Sequence, residues 1–245
     1  MTQTFSSTRQ IKAHLRRILA DEDWVENFTR LISEIPPQRT ISPLFAALFS
    51  KLRIMRWHAV SCFGIAASEL AAENTEQVRI VLRRCTWSLN DESGGIGWGA
   101  PEAMAEILAS VPRIAEEYAS ILVSFVLERE EACNYLEHSP LREGAYWGIA
   151  RLAQARPELI APWQEYLLQA IDCETSPFIL GTSALIITSP GFNTSWTRQT
   201  LKKIESQEES IILYWNRAFW NVAVGDLARN GSPSESSYLA DSKVA

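Results

Sequence analysis

The chain has 245 residues, of which 47% are hydrophobic and 21% are charged, and its formal net charge at pH 7 is −6. This length is sufficient for a continuous apolar core, and the acidity disfavours nucleic acid and anionic membranes as partners. The longest apolar run, residues 178–187, is too short to span a bilayer, and residues 1–7 are polar, unlike a secretory signal. We therefore expect a cytoplasmic protein without a membrane partner.

Helical periodicity dominates the sequence from Thr8 to about Leu227. Strand-like alternation covers no more than a few residues, and no Asn-Gly or Asp-Gly pair separates two apolar runs. Prolines divide the chain into helix-length segments, and a proline is well tolerated in the first turn of a helix. The pattern predicts an all-α protein.

The composition changes near residue 230, where Ser, Gly and Pro replace apolar residues. Such a segment can bury little apolar surface when the protein folds. We therefore predict a single repeat domain over residues 1–229, followed by a disordered C-terminal tail over residues 230–245. The alternative for the tail is a short terminal helix around Tyr238.

A six-residue pattern recurs along the chain, with a small residue, an aromatic residue, Trp, any residue, a β-branched residue and Ala. It is clearest at residues 145–150 and 218–223, and weaker copies begin at residues 59, 100 and 182. The copies are 41, 45, 37 and 36 residues apart, close to the length of two-helix HEAT or armadillo units. Stacked units would bury the apolar face that each unit cannot cover alone. The alternative is an irregular helical bundle.

Two short motifs carry a family resemblance. Arg56-x-x-Ala59 and Leu141-Arg142-x-x-Ala145 resemble the opening of the second helix in HEAT repeats, although Lys51 and His138 replace the usual Asp. Residues 87–102 and 141–152 are similar to segments of a bacterial HEAT-like family that has no assigned activity. The resemblance implies a right-handed α–α superhelix, a HEAT/armadillo-like solenoid of about five two-helix repeats, and implies no chemistry.

Residues 90–102 form an unusual segment, because four of the eleven glycines lie between residues 94 and 99. Asp91, Glu92 and Glu102 surround these glycines, together with Trp98, and Pro101 is expected to open the next helix. The segment lacks the patterns of dinucleotide, phosphate and calcium loops. Its carboxylates and indole suit a cationic ligand or a peptide Lys or Arg, and a hard metal ion is a less favoured ligand. The alternative is a simple connector between helices.

A second group of candidate residues lies within one predicted helix, residues 142–155. Arg142 and Tyr146 are four residues apart, as are Trp147 and Arg151, and all four lie off the small-residue face of the helix. We predict an aromatic and arginine-lined concave groove, with residues 90–102 at its floor or rim. The alternative is ordinary packing between stacked repeats, which also favours aromatic residues.

No catalytic constellation is evident in the sequence. The three histidines do not cluster, no nucleophile has a base nearby, and we predict no metal and no cofactor. The sequence favours an interaction scaffold that binds a peptide or protein partner in its groove. The alternative is a small-ligand-binding protein or enzyme centred on residues 90–102. A DNA-repair glycosylase of HEAT-like fold is a further alternative, disfavoured by the acidic composition.

Overall fold

The structure is a computed structural model that describes residues 7–90, 97–128 and 134–240. Helices account for most of these residues, which confirms the predicted predominance of helix. The chain divides into two compact units, residues 1–114 and residues 115–243. They are called unit 1 and unit 2 below, and the predicted single repeat domain stays a prediction.

The elements follow one another in chain order. Unit 1 contains α1 (Thr8–Ile18), α2 (Trp24–Glu34), α3 (Gln38–Leu48), α4 (Arg53–Glu73), α5 (Thr75–Leu89) and α6 (Ala100–Ser110). Helix α7 (Pro112–Ser124) contains the boundary, and unit 2 continues with α8 (Ser139–Ala155), α9 (Pro157–Ile160), α10 (Gln164–Asp172), α11 (Pro177–Ile187), α12 (Ser195–Glu205), β1 (Ser210–Trp215), β2 (Ala218–Ala223), α13 (Val224–Asn230) and β3 (Tyr238–Leu239). Prolines stand in the first turn of α6, α8, α9 and α11, as the sequence predicts.

Unit 1 is built around α4, which packs against α3, α5 and α6. Nearly every residue of α4 between Trp57 and Ala67 is buried, so this helix has no solvent-facing side there. Helix α6 approaches α4 closely at Gly64, where an added Cβ would lie 2.9 Å from the carbonyl oxygen of Glu106. Only a residue without a side chain fits at that position.

Unit 2 has its core between α8 and α11, which pack against each other. Residues 144–150 of α8 are all buried, as are residues 179–187 of α11. Two helices that are apolar on all sides must be enclosed by other elements. Helix α13 and strand β1 both pack against α11 and contribute to this enclosure.

The last copy of the six-residue pattern, residues 218–223, is a strand and not a helix, so the prediction of a fifth helical repeat there is wrong. Strand β2 pairs antiparallel with β1. Trp215 pairs with Ala218 next to the turn, and Ser210 pairs with Ala223 at the far end. Asn216 and Arg217 join the strands with φ angles of 51° and 64°, the pattern of a type I′ turn. The apolar, largely β-branched and aromatic run of β1 favours pairing, and the turn was missed because its second residue is Arg and not Gly.

The segment after α13 is also more ordered than the sequence predicts. Tyr238 and Leu239 form β3, which pairs antiparallel with Trp220 and Phe219 of β2. The rings of Tyr238 and Trp220 meet edge to face, with centroids 5.8 Å apart. Predicted disorder is therefore wrong for these residues, and residues 241–245 lie outside the described ranges.

Candidate functional site

The glycine-rich segment that the sequence singles out joins α5 to α6 in unit 1. Asp91 and Glu92 lie outside the described residues, so their predicted role in binding stays a prediction. Gly99 has a φ of 73° and is the N-cap of α6, with Glu102 in the first turn, as predicted. Trp98 and Glu102 are half-buried. The described part of this segment therefore has the geometry of a helix connector, and its predicted role in binding stays a prediction.

An exposed indole lies at the end of α5, just before that segment. Trp87 is 82% exposed and lines an open depression with Arg84, Ser88 and Asn90. The Arg84 guanidinium carbon lies 3.9 Å above the ring centre of Phe45. The described residues that line this depression carry a cation, an indole, a hydroxyl group and an amide.

Tyr146 and Trp147, which the sequence predicts to line a groove, lie in the core of unit 2. Their side chains are 0% and 1% exposed. The Trp147 indole nitrogen donates a hydrogen bond to the Tyr214 carbonyl oxygen at 2.6 Å, and its ring lies edge-on to that of Trp215. This placement agrees with the packing alternative and not with direct ligand contact, because a fully buried ring offers a ligand no surface.

Arg151 lies further along α8 and is half-buried. Its Nη1 atom is 3.4 Å from Oε1 of Gln154, and the Gln154 amide nitrogen donates to Oδ1 of Asn216 at 3.0 Å. Arg151 therefore belongs to the contact between α8 and the hairpin turn. The predicted approach of Trp98 and Glu102 to the α8 residues would join the two units and stays a prediction.

Of the residues predicted to line a groove, Arg142 is the one that lies at a cavity. Its Nε and Nη2 atoms donate to the two carboxylate oxygens of Glu174 at 2.6 and 3.3 Å, and its Nη1 atom donates to the carbonyl oxygens of Leu136 and Glu137 at 2.9 and 3.0 Å. The side chains of Arg142 and Glu174 are only 14% and 11% exposed. A two-pronged contact of this kind fixes both side chains and holds the chain before α8 against the residues that follow α10.

A cavity of about 470 Å³ opens beside this ion pair. We call it the Arg142 cavity. Its lining comes from the residues that follow α7, from the chain before α8, from α8 itself, and from α10 with the two residues that follow it. The lining residues are Val126, Leu127, Glu128, Tyr135, Arg142, Tyr166, Gln169, Ala170, Cys173 and Glu174. Because Tyr166, Gln169 and Cys173 are exposed, solvent and ligands have access from the α10 side.

Hydrogen bonding and burial set the protonation states of three groups around the Arg142 cavity. The hydrogen bond to Glu174 raises the pKa of Arg142, so this side chain is a permanent cation. Burial raises the pKa of Tyr135, and burial followed by the charge of Glu174 raises the pKa of Tyr146. Both tyrosines are therefore neutral at physiological pH and act as hydrogen-bonding groups, not as bases.

Within residues 7–90, 97–128 and 134–240, no three His, Cys, Asp or Glu side chains are arranged to hold a metal ion. Cys173 lines the Arg142 cavity as an exposed free thiol. The arrangement therefore offers carboxylates, phenols, an amide and a thiol to a ligand. Such groups can bind and orient a ligand through hydrogen bonds.

No protein-family model and no curated protein sequence matches this chain. The resemblance to HEAT repeats thus stays an expectation. In the described part of the chain, no helix is both long and apolar enough to cross a membrane.

Most of the residues that form the Arg142 cavity were not recognised in the sequence. Glu174, the partner of Arg142, lies 32 positions further along the chain, and Tyr135 and Tyr166 lie in no motif. The useful signal was Arg142 itself, which lies in a helix that the aromatic pattern marks as central. Its partners were hidden because they lie in other parts of the chain and reach Arg142 only when unit 2 folds.

Proposed function

We propose that this protein is an interaction module that binds a segment of a partner polypeptide, with a side chain of that segment entering the Arg142 cavity. The cavity carries the proposal. Its volume of about 470 Å³ lies within the common range for binding pockets. It also presents two tyrosines beside an anchored arginine, and such residues are enriched in the energetic centres of protein interfaces.

The open side of the cavity favours a polypeptide over a small molecule. Tyr166 and Gln169 lie on the exposed face of α10, where a neighbouring part of the bound segment would extend over the helix. An enclosed pocket would instead surround a small ligand on most sides. The anchored Arg142–Glu174 pair provides a rigid wall, and a rigid wall reduces the ordering cost of binding.

The proposal includes a scaffold of stacked HEAT-like helical repeats. Its support is the pair of Arg-x-x-Ala motifs at Arg56 and Arg142: Ala59 lies on α4 and Ala145 on α8, and both are fully buried. We also propose a cytoplasmic location. Three described cysteines, Cys62, Cys85 and Cys173, are free thiols, and free thiols are common in a reducing compartment.

A peptide-display selection tests the proposed function. Peptides enriched on the full-length wild-type protein should lose at least about tenfold in affinity for Tyr166→Ala, because truncating an aromatic anchor costs roughly 1–2 kcal/mol or more. Glu165→Ala is the matched control, since Glu165 is exposed on the same helix but does not line the cavity. Selected peptides that bind the wild type and Tyr166→Ala equally well would contradict binding at this cavity.

A further inference from the structure

The positive charge inside the Arg142 cavity is already neutralised. Arg142 donates to both oxygens of Glu174 and to two backbone carbonyl oxygens. Nearly all of its N–H groups are thus engaged within the protein. A carboxylate or phosphate ligand would have to displace Glu174 from a side chain that is only 14% exposed. The cavity is therefore a poor receptor for anions.

The charge that remains available to a ligand is negative. Among the described residues of the lining, Arg142 is basic, whereas Glu128 and Glu174 are acidic. Glu174 compensates Arg142, and Glu128 forms no ion pair with any residue that the structure describes. Its carboxylate follows the end of α7 at an exposed position. A carboxylate at the mouth of a partly apolar cavity attracts cations.

The aromatic residues of the cavity suit the same kind of ligand. Tyr135 and Tyr166 both line it, and the guanidinium carbon of Arg142 already lies 5.4 Å from the ring centre of Tyr135. The negative face of an aromatic ring attracts a cation at such distances, and the attraction grows where water is excluded. One ring of the cavity thus already stabilises a cation of the protein itself.

We propose that the Arg142 cavity recognises the cationic side chain of an arginine or lysine in the bound segment, between the rings of Tyr135 and Tyr166 and the carboxylate of Glu128. This inference rests on the proposed function, because the basic side chain belongs to the bound polypeptide. It specifies that function further, since a general peptide-binding cavity would require no particular charge.

Capped single amino acids test the charge preference directly. N-acetyl-arginine-N-methylamide, its norleucine counterpart and its glutamate counterpart are titrated into the full-length protein, and binding is followed by amide chemical shifts in NMR. We expect the arginine probe to bind at least about fivefold more tightly than the norleucine probe, because a cation gains roughly 1 kcal/mol from the rings and the carboxylate. The glutamate probe should bind most weakly.

Glu128→Gln isolates the contribution of the carboxylate. This variant should lower the affinity for the arginine probe about threefold, which is the effect of losing a partly exposed ion pair. The affinity for the norleucine probe should not change. Added salt should lower the affinity for the arginine probe and for neither of the other two. Glu165→Gln, an exposed carboxylate outside the lining, is the matched control and should bind all three probes as the wild type does.

The outcomes separate this inference from the proposed function. Equal affinity for the arginine and norleucine probes, or tighter binding of the glutamate probe, would overturn the charge preference while Tyr166-dependent binding of selected peptides still supported the function. If no probe binds but the selected peptides do, the charge preference is likewise overturned and the proposed function is still supported. If Tyr166→Ala lowers the affinity for neither the probes nor the selected peptides, both the inference and the proposed function fail.

Discussion

His58 lies on α4 in the core of unit 1, where its ring stacks on that of Trp24 with centroids 4.5 Å apart. Its Nδ1 atom is 3.0 Å from the carbonyl oxygen of Leu19. Burial lowers the pKa of His58 from 6.5 to about 4, although the hydrogen bond to Leu19 acts in the opposite direction. At neutral pH this residue is therefore an uncharged part of the core.

Acid should destabilise the protein through His58. The unfolded chain takes up the proton near pH 6.5, whereas the folded protein resists it until about pH 4, so stability is complete above pH 6.5 and falls between these values. The difference corresponds to roughly 3 kcal/mol of unfolding free energy. Urea unfolding at about pH 7 and pH 4 should show a smaller loss for His58→Phe than for the wild type. The exposed His138→Phe should behave as the wild type, and identical losses in all three proteins would contradict the prediction.

The Arg142–Glu174 ion pair should contribute far more to stability than the exposed pairs of the same unit. Arg142→Leu leaves the Glu174 carboxylate uncompensated at a site that is 11% exposed, so we expect it to lower the free energy of unfolding by about 3 kcal/mol. Arg229→Leu, which breaks a half-exposed pair with Asp226, is the matched control and should cost less than about 1 kcal/mol. Equal losses of unfolding free energy in the two variants, measured by chemical denaturation, would show that the buried pair stabilises the protein no more than the exposed pair does.

The β1–β2 hairpin turn contains a conformational cost that one substitution should remove. Arg217 has a φ of 64°, and its side chain is exposed. Left-handed backbone costs a residue with a Cβ about 1 kcal/mol relative to glycine. Arg217→Gly should therefore raise the free energy of unfolding by about 0.5–1 kcal/mol. Ala218→Gly, at the adjacent position in β2, should lower it, and a loss of stability in both variants would contradict the type I′ geometry.

The third strand should make a small but measurable contribution. Strand β3 has two residues, and Tyr238 stays 57% exposed while contacting Trp220. An edge-to-face pair contributes about 0.5–1.5 kcal/mol, so deleting residues 232–245 should lower the melting temperature by a few degrees. Tyr238→Ala should reproduce most of this effect. An unchanged melting temperature after the deletion would show that β3 does not stabilise unit 2.

At the scale of the whole molecule, the far-ultraviolet circular dichroism spectrum should be that of a mainly helical protein. The described strands have six, six and two residues, whereas α4 alone has 21. Strand content should therefore be well below the roughly 20–25% of an average globular protein. A spectrum with strand at that average level would contradict the fold of both units.

The local sequence determined the helices of this protein and many of their ends. The prolines in the first turn of α8, α9 and α11 act within one helical turn, and so do Gly99 and Pro101 at the start of α6. Such signals depend on neighbouring residues and can be read without knowing the fold. The apolar spacing around Ala59 and Ala145 likewise identified two helices whose alanines are fully buried.

Only the tertiary structure decided between helix and strand at residues 218–223, which share their pattern with helical residues 145–150. Pairing with β1 supplied the strand with hydrogen-bond partners that its own sequence does not specify. Packing likewise placed Tyr146 and Trp147 in the core and brought Glu174 to Arg142. These contacts join residues distant in sequence, and the pattern of one helix indicates which side chains are apolar or charged, but not which element covers them.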